Sequence, residues 1–184
     1  MKRLCLISLL VLLVVTTVTR AVTFTTDILI DAGDFTYDGN DIVVDGCTLT
    51  VNGGHDFNSL QVINGGAVTH SAAAGGEPDC RILLTITQDL TIAAGCEISA
   101  NGKGYGSESG PGAGGSSSNN GGGAGYGGAG GSCKGAAGGP TYDSITGPTD
   151  FSSGGGIDND WGTSQGGAGG GAIQYSLSVL DSAS

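Results

Sequence analysis

The chain has 184 residues, 38 of them glycine, with charged residues at 12%, aromatics at 5% and four prolines. A glycine share near one in five excludes a helical bundle, because glycine is among the poorest helix formers; clustering of the glycines without a strict three-residue period excludes collagen. A net charge of −11 and an isoelectric point near 4.1 exclude nucleic acid as a partner, since phosphate binding needs lysine and arginine gathered on one face.

Lys2 and Arg3 precede an apolar run over residues 4–18 that is broken only by Ser8, Thr16 and Thr17. This pattern, ending at small Ala21 with Thr19 two residues before it, predicts a secretory signal peptide over residues 1–21 and a secreted or cell-surface protein. A spanning helix wants about 20 apolar residues, and this run stops at Arg20. Cleavage after Ala21 leaves Arg81, Lys103 and Lys134 against all 17 acids. Such a surface repels anionic polymers unless a cation bridges them. Cys47, Cys80, Cys96 and Cys133 remain, and in an oxidising compartment four cysteines suggest disulfides with three possible connectivities.

Residues 22–101 read as short strands split by turn residues. Ile28 and Ile30, Ile42 and Val44, Leu49 and Val51, Leu60 and Val62, then Leu84, Ile86, Leu90 and Ile92 place aliphatics two residues apart, several of them alternating with Thr, and are bounded by Gly, Asn and Asp. These are strand signals, and no window has a convincing helical period. Alignment on the glycines exposes a degenerate repeat. Gly46, Cys47, Leu49, Thr50, Asn52 and Gly53 match Gly95, Cys96, Ile98, Ser99, Asn101 and Gly102; Gly65, Val68 and Thr69 form a weaker copy without the cysteine. The marker glycines lie 19 and 30 residues apart. Coils of about 20 to 30 residues, each unable to bury its apolar face alone, are the signature of a solenoid whose stacked coils share one interior. The chain is therefore expected to be all-β, a partial right-handed parallel β-helix, in preference to a hairpin sandwich. Cys47 and Cys96 then sit two coil steps apart, about 9 to 10 Å. That is beyond the roughly 7 Å between bridged Cα atoms, so they are not expected to pair with each other.

From residue 102 to 171 the pattern changes: 28 of these 70 residues are glycine, with almost no aliphatics. A flexible linker and an ordered loop system, whose glycines permit close backbone approach, both fit that composition. Tyr105, Tyr126, Tyr142, Phe151 and Trp161 favour order, because a linker has no use for them. Ile173, Tyr175, Leu177 and Val179 then alternate with polar residues, as in a half-buried strand. Residues 172–184 so read as the start of a further coil, cut short. The chain is expected to be a fragment of a longer protein or to associate end to end.

Ile98, Ser99, Ala100, Asn101, Gly102, Lys103, Gly104 and Tyr105, followed by Gly110, Pro111 and Gly112, by the run Phe151, Ser152, Ser153 and Gly154, and by Gly169, Gly170, Gly171, Ala172 and Ile173, carry a resemblance. Over roughly residues 90 to 180 the chain resembles a glycine-rich module of large secreted proteins, flanked there by parallel β-helix (pectin-lyase-like) coils. The resemblance implies an extracellular surface or matrix protein whose partners are an extracellular glycan or matrix, or further coils of a longer chain.

Little in the chain points to catalysis. Gly123, Gly125 and Gly128 match a dinucleotide fingerprint, as chance allows in so glycine-rich a stretch, with no strand before them or helix after. His55 beside Asp56 reads as a turn histidine next to a solvated carboxylate, since neighbours on a strand point to opposite faces. A glycoside hydrolase needs two carboxylates about 5 to 9 Å apart, for which Asp31, Asp34, Asp38, Asp41 and Asp45 are the candidates. Acids on solenoid turns are more often solvated corners. Asp158 and Asp160 resemble part of a calcium loop without its terminal Glu, a weak calcium site. No other cofactor is expected. The reading is a structural or adhesive module without catalytic activity; the alternative is the N-terminal part of a carbohydrate-active β-helix enzyme, a polysaccharide hydrolase or lyase.

Overall fold

The structure, a computed structural model, describes residues 20–73, 80–146, 149–158 and 166–178. The signal-peptide expectation falls almost wholly outside them, as do Asp160, Trp161 and Val179. Thirteen short strands are described: β1 (Ala21–Phe24), β2 (Ile28–Ile30), β3 (Asp41–Asp45), β4 (Thr48–Val51), β5 (Gly53–Phe57), β6 (Ser59–Ile63), β7 (Ala67–Thr69), β8 (Ile82–Ile86), β9 (Leu90–Ile92), β10 (Glu97–Ile98), β11 (Ser116–Ser117), β12 (Asn120–Gly121) and β13 (Ile173–Leu177). One 3-10 turn, Phe35–Tyr37, accompanies them.

Three parallel sheets hold all but β11 and β12, which pair antiparallel. Their orders are β1-β3-β6-β9, β2-β4-β7-β10 and β5-β8-β13. The chain visits them in rotation: β3, β4 and β5 enter the first, second and third sheet, and so do β6, β7 and β8 in turn. From β1 to β10 each strand therefore pairs with one about 20 to 30 residues away, a separation that hairpins do not produce, while β13 returns to β8 across 91 residues. The register pairs Thr48 with Ala67 and Ala67 with Glu97, the positions that the glycine alignment sets in correspondence. It thus leaves two ladder steps between the neighbouring Cys47 and Cys96.

Alternation along each strand sends one set of side chains inward. Ile42 lies opposite Leu60, Val44 opposite Val62, Leu49 opposite Val68, Ile30 opposite Val51 and Phe57 opposite Ile86; all ten are buried. Burial of each such side chain is worth about 1.5–3 kcal/mol, so these columns carry most of the stabilisation. The corner between the first and second sheets needs backbone in the left-handed region, and Gly46, Gly65 and Gly95 supply it at φ of 66°, 79° and 81°.

β5 was not foreseen as a strand. Its inward positions are Gly53, His55 and Phe57, all buried. Nor is β13 half-buried as expected. It pairs with β8 along its whole length, yet Ile173, Tyr175 and Leu177 stay exposed, because no described element lies over them.

The described residues of the glycine-rich region form a backbone-packed layer. Amides of Gly115, Gly122, Gly123, Gly125, Gly130 and Gly139 donate to carbonyls of Ala137, Gly115, Gly131, Gly112, Gly139 and Gly123, each within 2.9 Å. A Cβ on Gly130 would lie 2.0 Å from the Gly123 carbonyl oxygen, and one on Gly139 1.9 Å from that of Gly112. Only glycine lets the segments approach so closely. The aromatics anchor the layer: Phe151 is buried, with its ring centroid 5.7 Å from that of His70 and 6.2 Å from that of Tyr105, and Tyr126 meets Tyr142 edge to face at 5.2 Å.

Candidate functional site

The five candidate carboxylates are tied into turns and corners. Asp31 accepts from the Asn52 amide at 3.1 Å, and Asn52 extends the ladder to the Ser71 hydroxyl at 3.0 Å. Asp41 accepts from the Asn58 amide at 2.5 Å and the Ser59 hydroxyl at 2.8 Å; Asp45 accepts from the Asn64 amide at 2.6 Å. Asp34 caps the 3-10 turn by accepting from the Thr36 amide, and that contact with Thr36 lowers its pKa below the usual carboxylate value. Asp38 faces the His55 ring, with 3.0 Å between its Oδ1 and Nδ1. Asp41 and Asp45 stand at the two ends of β3, about 13 Å apart at strand rise, too far to share one glycosidic bond.

The structure corrects the reading of His55. It is a buried strand residue whose partner is Asp38, 17 residues earlier, and not the neighbouring Asp56, which points outward. Its Nδ1 meets the carboxylate while Nε2 lies 3.1 Å from the Asn52 carbonyl. Phe35 covers the ring at a centroid distance of 5.8 Å. Both nitrogens are engaged, so no lone pair faces solvent to take a proton from a substrate. The residues missed from sequence are Asn52 and Asn58, both buried, and Asn64: Asn52 and Asn64 read only as turn formers and Asn58 drew no reading, yet their amides reach carboxylates 17 to 21 residues earlier in the chain.

Where the glycine-rich layer meets the third sheet, the surface is concave. A cleft of about 210 Å³ is lined by Arg81, Leu83, Tyr126, Thr149, Asp150 and Gln174. A second, of about 290 Å³, continues it over Gly54, Asp56, Leu83, Thr85, Gln174 and Ser176. The two share Leu83 and Gln174 and together form a groove along the outer face of β5, β8 and β13. Its wall is held by Asp143, which accepts from the Tyr126 hydroxyl at 2.7 Å and from the amides of Ser144, Thr149 and Asp150. Those hydrogen bonds, the Tyr126 hydroxyl first, keep the Asp143 carboxyl well below the usual range; burial, then Asp143 itself, pushes the Tyr126 phenol up.

Among the described residues, no three His, Cys, Asp or Glu side chains gather as a metal site. Asp158 forms an isolated bridge with Ser117, and its expected partner in calcium binding, Asp160, lies outside the described residues. No helix among them is long and apolar enough to cross a membrane. Protein-family models, curated proteins and solved structures give no match to this chain.

Proposed function

We propose that the chain is an exported structural or adhesive module of a cell surface or extracellular matrix, built as a right-handed parallel β-helix with a glycine-rich insertion. The rotation of the chain through three parallel sheets at intervals of about 20 to 30 residues supports the solenoid. The single observation that carries the functional reading is the engagement of the candidate carboxylates. Asp31, Asp38, Asp41 and Asp45 each meet a side chain from a later coil, so their chemistry is used in joining coils. Export rests on the N-terminal segment, and the partners are an extracellular glycan or matrix, or further coils stacked on the end formed by β9, β10 and β13.

A second reading, a carbohydrate-active β-helix enzyme, is favoured by one feature: the groove carries a carboxylate in each half, Asp56 and Asp150. Incubation of the purified chain with a panel of neutral and acidic glycans separates the two. The structural reading expects no turnover of any glycan. Turnover that is lost on Asp56→Asn or Asp150→Asn, with the melt unchanged, would replace it with the enzymatic one.

A further inference from the structure

His70 is fully buried where the glycine-rich layer returns to the coils. Its Nδ1 lies 2.7 Å from the Ser71 carbonyl oxygen, and its Nε2 accepts from the Ala172 amide at 3.2 Å. A carbonyl can only accept and an amide N–H can only donate, so these partners select one state: neutral, with the proton on Nδ1. The Ala172 carbonyl in turn accepts from the Ile82 amide, where β13 begins its pairing with β8. Gly171 donates to the Ala100 carbonyl, and a Cβ there would sit 1.9 Å from Nε2. The ring thus joins Ser71 beyond β7, Phe151 and Ala172, and Gly171 beside it ties the same place to Ala100.

We propose that His70 is a proton-sensitive latch, and that acidification below neutrality releases residues 151–152 and 169–172, with β13, from the coils. A second proton must go on Nε2, where it points at the Ala172 N–H, donor against donor. No acid among the described residues balances the new charge. Among the described residues, β7 and Ser71 offer only neutral groups, Phe151 and residues 171–172 offer a ring and backbone, and residues 100–103 bring Lys103, whose charge opposes protonation. Burial first lowers the pKa of the ring in the folded state; the Ser71 carbonyl opposes this, Lys103 adds to it, and the net direction is down. An unfolded or released imidazole takes its proton near pH 6.5. The hold is therefore complete above about pH 6.5 and weakens as pH falls from there toward the lower folded value, because over that window only the released form binds the proton. Each pH unit inside the window shifts the equilibrium by about tenfold.

The test is amide exchange of the full chain at pH 7 and pH 5, corrected for intrinsic rates, read at Gly104, Ala172 and Ile82 and compared with β3 and β6. The latch predicts exchange about tenfold faster at pH 5 for the first group only. It further predicts that His70→Gln, whose side-chain carbonyl still accepts from Ala172 but does not titrate, removes the acid response, while His55→Gln retains it. An NMR titration of the ring in the unaltered chain reads the same claim without a variant: His70 should stay neutral below pH 6.5. A ring that titrates at or above 6.5, equal exchange at both pH values, or an acid response that survives His70→Gln would overturn the latch.

Discussion

Gly130→Ala should disrupt the glycine-rich layer, while Gly131→Ala, one residue further, should leave it standing. The Cβ at position 130 would meet the Gly123 carbonyl oxygen at 2.0 Å and its carbon at 2.6 Å. Both are backbone atoms in a segment hydrogen-bonded on each side, Gly123 N to Gly131 O and Gly139 N to Gly123 O, so no rotamer change relieves the clash. Overpacking a well-filled interior costs about 1–3 kcal/mol, and a backbone collision of this depth belongs at the upper end of that range. At position 131 nothing lies within 4 Å of the added methyl. There alanine reduces the freedom of the unfolded chain and should stabilise by about 0.4–1 kcal/mol. Chemical denaturation of the two variants side by side gives the answer, and equal midpoints would mean that the segments are not in backbone contact.

The second large effect is in the parallel sheets. Leu60→Ala should cost about 2–5 kcal/mol, because Leu60 is fully buried in β6 between Ile42 of β3 and Leu90 of β9, and neighbours fixed in two ladders cannot close the cavity. In thermal melts this corresponds to roughly 2–4 °C for each kcal/mol. Leu177→Ala removes the same side chain from β13, where it is 46% exposed, and should cost less than about 1 kcal/mol. Similar losses at both positions would place Leu177 inside a covered core.

How much of this was legible in the sequence depends on whether the information is local. β3, β4, β6 and β8 announce themselves, because aliphatics recur at every second position, with polar residues between them in β4 and β6 and an added aliphatic, Val43 or Leu83, in β3 and β8. β5 does not: its inward residues are glycine, histidine and phenylalanine, and His55 is a tolerable interior residue only because Asp38 comes to meet it from 17 residues earlier. The asparagine ladders were equally hidden, since Asn52 and Asn64 precede glycines and look like ordinary turn residues until the parallel strands pair. The partner of His70 is 102 residues away, beyond any pattern along the chain. In the glycine-rich stretch, composition alone fits a linker as well as a layer. The aromatics were the only local sign of order, and Phe151 and Tyr126 prove to be the residues that seat it.

The claim on which the rest depends is that residues 102–171 include a folded backbone layer docked on the parallel sheets. Hydrogen exchange at neutral pH measures it most directly at the amides of Gly115, Gly122, Gly123, Gly125, Gly130 and Gly139. Their protection should be within an order of magnitude of that in β3 and β6, since all six donate to backbone carbonyls inside the layer. Exchange of these amides at the rate of an unstructured peptide, with β3 and β6 still protected, would contradict it.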